Sequence, residues 1–162
     1  MIAGKFIAIA LAAATALTAG IAAAQQTGTY AADLSRVYEA AQFVQAVKEG
    51  CDTAEPGSSA ANDLAYKAWR KQHQSLLDEL ERHLTAMIRR ASTDASDYAR
   101  NFGKYAGEVL EHLEEMKKEF LAQPSQEVSR QCRTFPEYLK SRDADLRKRY
   151  AEELKTIRKR KL

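Results

Sequence analysis

The side chains best suited to chemistry in this 162-residue sequence are three histidines, two cysteines and a basic run at the C-terminal end. His73 falls inside an apolar stripe one turn after Trp69, and His112 flanks a second stripe with Met116 one turn further on. Imidazole nitrogen and thioether sulfur are ligands that a soft metal or a haem iron takes between helices. His73, His112 and Met116 are therefore the candidate ligand set. The competing reading is a core His73 hydrogen-bonded to a Tyr or Glu, with His112 on the surface. The spaced motifs of dedicated metal sites are missing: there is no Cys-x-x-Cys-His, His-Glu-x-x-His or Glu-x-x-His. Glu79 and Glu108 instead stand four residues before His83 and His112, a spacing that stabilises helix surfaces. No nucleophile is activated either, since neither Gly-x-Ser-x-Gly nor a phosphate-binding glycine loop occurs. Glu111, Glu114, Glu115 and Glu119 interleave with Lys117 and Lys118 as a solvated face does. The expectation is a protein that is not an enzyme and needs no cofactor.

Cys51 and Cys132 are most simply one disulfide, given the export signal described below. Closing so long a loop stabilises a fold by roughly 4 kcal/mol in the chain-entropy picture. A redox or metal pair is the poorer reading, because no Cys-x-x-Cys is present and no His lies within four residues of either sulfur. The basic run is the third feature. From Lys140 onward there are 10 Lys or Arg against 4 Asp or Glu, and Lys155, Arg158, Lys159, Arg160 and Lys161 fall within seven residues. Such a cluster attracts anionic envelope components, or else it is a solvated helix end whose cations suit the helix dipole.

Residues 1–24 read as a secretory signal peptide: Lys5 supplies the positive start, Phe6 to Ala19 are apolar, and Ala22-Ala23-Ala24 offers the small residues of a cleavage site. The cut is expected between Ala24 and Gln25, placing the mature chain in the periplasm or outside the cell. No transmembrane segment and no nucleic-acid motif is expected in that mature chain. Its charge is nearly balanced, with 24 basic against 22 acidic residues once Lys5 is removed.

The elements that must position these residues are helical throughout. Leu34, Val37, Tyr38, Ala41, Val44, Val47 and Cys51 keep helical spacing. So do Trp69, His73, Leu76, Leu80, His83 and Met87, then Tyr98, Phe102, Tyr105, Val109, Leu113, Met116 and Phe120, and finally Leu139, Leu146, Tyr150, Leu154 and Ile157. The spacing predicts an all-α, antiparallel four-helix bundle in one domain over 25–162. Its helices lie near 30–51, 60–92, 95–122 and 136–159. Gly50 with Glu55-Pro56-Gly57-Ser58-Ser59 marks one loop and Gln123-Pro124-Ser125 opens another, while Pro136 sits in the first turn of the last helix. A hairpin is preferred at Ser92-Thr93-Asp94 over one rod from 60 to 122. In this topology both cysteines fall at the same end of the bundle, as a disulfide needs.

Two further patterns stand out. Ala95, Ala99, Gly103 and Gly107 recur every fourth residue, which suits close packing against a neighbouring helix or a groove for a partner helix. Tyr66, Trp69, Phe120, Phe135 and Tyr138 gather near the cysteines, where core packing over the disulfide is the default and a partner-binding patch the alternative.

Ala65-Tyr66-Lys67-Ala68-Trp69-Arg70 and Cys132-Arg133-Thr134-Phe135-Pro136 resemble small exported helical proteins of proteobacteria. That resemblance covers the second helix and the second cysteine segment, and it implies a periplasmic location but no activity. The functional expectation is a periplasmic binding or interaction protein with a protein or peptide partner, chaperone-like or an envelope adaptor. The alternatives are a metal or haem carrier using the bundle histidines, and a binder of anionic surfaces through the basic C-terminal end.

Overall fold

The computed structural model describes residues 29–161, so the expected signal segment and its cleavage site lie outside the described residues. The described chain is all-helical. Its α-helices are α1 (Tyr30–Ala54), α2 (Ser59–Arg90), α3 (Ala95–Leu121), α4 (Ser125–Tyr138), α5 (Leu146–Arg149) and α6 (Ala151–Lys159), with a 3-10 turn at Pro56–Ser58 before α2. No helix among the described residues is long and apolar enough to cross a membrane.

Local chemistry sets the boundaries. Thr29 caps α1 by accepting from the Ala32 N–H at 3.3 Å. The preferred hairpin forms: Asp94 caps α3 through the Asp97 N–H at 2.9 Å, while the Asp97 carboxylate accepts from the Thr93 N–H at 2.9 Å. The two acceptors together satisfy orphan donors at the start of α3.

The last quarter of the chain differs from the expectation. In place of one helix over 136–159, α4 starts after Pro124, carries Pro136 in its last turns and ends at Tyr138. Residues 125–135 hold Val128, Cys132 and Phe135 on one buried face, and that face keeps the segment helical. Cys132 is thus a helix residue and not a loop residue. Pro136 lacks the N–H that would continue the helical ladder, and the helix stops two residues beyond it. After a turn, Asp145 caps α5 by accepting from the N–H groups of Arg147 and Lys148, and α6 completes the chain.

Contacts between helices give their directions. Tyr30 meets His83 and Lys48 meets Asp63, so α1 and α2 run antiparallel. Tyr38 lies beside Tyr105 and Gly50 beside Phe120, so α1 and α3 run the same way. Arg36 pairs with Glu153, so α6 returns against α1. Helix α1 touches α2, α3, α4, α5 and α6, and its buried residues Leu34, Val37, Val44, Ala46, Val47 and Cys51 are spread over more than one face. An interior helix has this distribution.

The Cys51–Cys132 disulfide is present, with Cα atoms 5.2 Å apart and the cysteines 81 positions apart in the sequence. Around it, Trp69, Phe120 and Phe135 are buried, while Tyr66 and Tyr138 are half-buried. The aromatic group is therefore mainly core. Gly50, expected to mark a loop, is a buried α1 residue lying against the Phe120 ring.

Candidate functional site

The two candidate ligand helices place their histidines in different surroundings. His73 is fully buried on α2, and its Nδ1 lies 2.9 Å from the Trp69 carbonyl oxygen. A carbonyl only accepts, so Nδ1 carries the proton. Nε2 has no hydrogen-bond partner and lies 3.6 Å from Asp145 Oδ1, beyond hydrogen-bond reach. Trp69 stacks near this ring, and its Nε1–H donates to the Ala144 carbonyl at 2.7 Å. Arg147 adds a clamp by donating to the Gln72 carbonyl at 2.9 Å and to Ser75 Oγ at 2.7 Å. Trp69, Gln72 and Ser75 are thus the α2 side of the joint that fastens the α5 turn, with His73 buried among them. The carbonyl partner of His73 differs from the Tyr or Glu expected.

His112 and Met116 come together elsewhere. Both line a cavity of about 380 Å³ between α1, α3 and the α4–α5 turn, and His73 does not line it. His112 is half-exposed and its Nδ1 lies 3.9 Å from Glu115. Among the described residues, no group of three or more His, Cys, Asp or Glu side chains is placed to hold a metal ion.

That cavity has a two-part lining. Val44, Ala144 and Leu146 are buried in its wall, with Ala40 and Met116 partly buried beside them. At its edge Phe43 leaves 46 % of its surface exposed, a large apolar side chain facing solvent. Tyr138, Tyr150, His112, Arg36 and Arg149 supply polar groups, and the carboxylates of Glu39 and Asp143 line the same cavity. Burial pushes the Tyr138 phenol up, although the Arg149 guanidinium works against the shift, so the phenol remains a neutral donor and acceptor. Arg36 is engaged, 3.1 Å from Glu153 and 3.9 Å from Asp33. Arg149 donates to the Asp143 carbonyl at 3.2 Å and lies over the Tyr150 ring at 5.4 Å. Among the described residues no carboxylate comes within ion-pair distance of Arg149, so its guanidinium is available to a ligand. The arrangement can seat an apolar side chain and offer hydrogen bonds from the Tyr138 phenol and the Arg149 guanidinium, while Glu39 and Asp143 balance the charge of Arg149.

The small-residue stripe on α3 is not a packing seam among the described residues. A Cβ added at Gly103 or Gly107 would meet nothing within 4 Å, and Ala95 and Ala99 are exposed. Phe102 and Leu110 on the same helix are 41 % and 63 % exposed, although Phe102 was expected in the buried stripe.

The predicted anion-binding residues divide into two groups. Lys155 pairs with Glu152 at 2.6 Å, and Arg158 makes a two-pronged bridge to Glu79 at 2.8 and 2.9 Å. The guanidinium of Arg158 holds the Glu79 carboxyl below its usual range despite burial. Lys159, Arg160 and Lys161 have no carboxylate partner among the described residues, and Arg160 lies over the Tyr30 ring at 5.2 Å.

The cleft was missed from sequence because its lining comes from α1, α3 and the α4–α5 turn, and that turn was read as helix. The one available signal was Phe43, an aromatic residue off the apolar stripe of α1. Compared with protein-family models, with curated proteins and with solved structures, the chain matches none.

Proposed function

We propose that this protein is an exported binding module, an envelope adaptor or chaperone-like holder, whose cleft seats an apolar side chain of a peptide or protein partner. The observation that carries this reading is the exposed Phe43 beside a wall of Val44, Met116 and Leu146. A large apolar side chain left in water next to an open apolar cavity favours a partner that covers both. Arg149 and Tyr138 favour a carbonyl next to that side chain, which suits a peptide better than a pure hydrocarbon.

The test is selection from a displayed peptide library on oxidised protein, repeated on Ala40→Trp, which fills the cleft, and on Phe43→Asp. Enriched peptides sharing a bulky apolar residue and binding at least tenfold more weakly to both variants support the reading. Peptides that bind Ala40→Trp equally well, or no enrichment on the unaltered protein, sink it. Thermal melts of both variants separate loss of the site from loss of the fold.

A further inference from the structure

We propose that the end of the molecule where α2 and α6 finish docks on an anionic lipid bilayer. Helices α2 and α6 run side by side in one direction, fixed by the Arg158–Glu79 bridge and by Arg90 Nη2 donating to the Lys161 carbonyl at 2.8 Å. Two helix C-termini therefore meet, and cations collect there as the dipoles favour. Arg89 and Arg90 from α2 join Lys159, Arg160 and Lys161, although they lie some seventy positions away in the sequence. Among the described residues, the carboxylates toward this end are Asp94, which caps α3, Asp97, which is occupied by Arg100 at 2.5 Å, and Asp33, which lies 3.9 Å from Arg36. Five cations thus stand beside three carboxylates, each already engaged by a backbone N–H or another arginine. Arg89 and Arg160 are spread over the Tyr98 and Tyr30 rings at 5.0 and 5.2 Å, and neither has an ion-pair partner among the described residues.

A second observation selects a bilayer over a soluble polyanion. Tyr30 opens α1 at this same end, with its hydroxyl on His83 and its ring under Arg160. In the sequence, the apolar stretch Phe6–Ala19 stops ten residues before Tyr30. Ten residues span at most about 35 Å. Before that stretch is cut away, it holds the start of α1, and with it the basic end, within this reach of the membrane the stretch occupies. Clustered Lys and Arg beside an apolar segment bind anionic headgroups through charge attraction that reaches about one Debye length, roughly 10 Å at 0.1 M salt.

The experiment uses protein beginning at Gln25, which retains every contact described, and vesicles of phosphatidylcholine with and without 30 % phosphatidylglycerol (about one anionic lipid in three, enough to set a negative surface potential). The expected result is sedimentation with the anionic vesicles only, weakened at least tenfold between about 50 and 500 mM NaCl. Lys159→Glu/Lys161→Glu should weaken it at least fivefold. Arg70→Glu/Lys71→Glu makes the same change in net charge on exposed α2 residues about 28 Å from Arg90 and should leave it nearly intact. Equal losses in the two double variants, or no sedimentation with anionic vesicles, would overturn the proposal. Binding to soluble dextran sulfate without binding to vesicles would also overturn it, making the patch a polyanion site. Ala40→Trp should bind vesicles normally, which separates this surface from the cleft.

Discussion

Gly50 has no side chain because Phe120 fills the space one would occupy: an added Cβ would lie 2.5 Å from the ring. The ring is buried in the core, so neither partner has room to retreat. Gly50→Ala is expected to destabilise the protein by about 1–3 kcal/mol, despite alanine's better helix propensity. Urea unfolding measures this, and an unchanged midpoint would show that the ring can move. The sequence made glycine at 50 look like loop punctuation, since nothing local distinguishes a close approach from a break. A second residue-scale prediction concerns His83. The Tyr30 hydroxyl donates to the His83 carbonyl at 3.1 Å, so the His83 Nδ1, also 3.1 Å from that oxygen, is the donor of the second bond. Burial pulls the His83 pKa down; Glu79 opposes this and Arg82, Arg90 and Arg158 reinforce it. Below the ordinary histidine value of about 6.5 the unfolded chain therefore takes up a proton that the folded chain resists. Stability should fall as pH drops from about 7 through 6.5 and should level off once the folded value is passed. His83→Gln should flatten that slope in thermal melts at pH 7.5 and 5.5, and an equally steep variant would remove His83 as the cause.

At the scale of elements, the first three helices were legible because each carries a long stripe with a cap or turn at its end. The fourth was not. Val128, Cys132 and Phe135 make only a short apolar pattern, and two prolines bracket it with signals that fit a start at either one. Asp145 decides where the chain resumes, by capping α5 while its carboxylate reaches Lys148 at 3.2 Å and His73 at 3.6 Å. Burial acts against this carboxylate, but Lys148, through its ammonium and its backbone N–H, holds its pKa below the usual range. Its contribution is therefore complete above the ordinary value of about 4 and lost as pH falls through the lower folded value. Asp145→Ala should cost about 1–2 kcal/mol at neutral pH, the usual loss of a good cap. Its stability should also change less than that of the unaltered protein under acid titration. A neutral effect on the urea midpoint would mean that Arg147 and the Trp69–Ala144 bond hold the turn without it.

For the whole molecule, the pairing of Cys51 with Cys132 followed from counting thiols and helix ends, whereas the cleft needed three separated segments to be placed together. These two features are coupled physically. The disulfide ties the C-terminal part of α1 to α4, and Tyr138 at the end of α4, with the turn that follows it, forms one wall of the cavity. Opening an 81-residue connection returns conformational freedom to the unfolded chain, worth about 4 kcal/mol in the loop-entropy picture. The melting temperature of Cys51→Ser/Cys132→Ser should accordingly drop by roughly 10–20 °C for a domain of this size. Packing of Trp69, Phe120, Val128 and Phe135 around the bond persists in that variant, so the helices should still form. Peptide binding at the cleft should weaken before helical signal is lost on warming, because the α4–α5 wall loses its covalent anchor first. If binding and helicity disappear together, α4 does not move independently of the core and the disulfide stabilises only the whole fold.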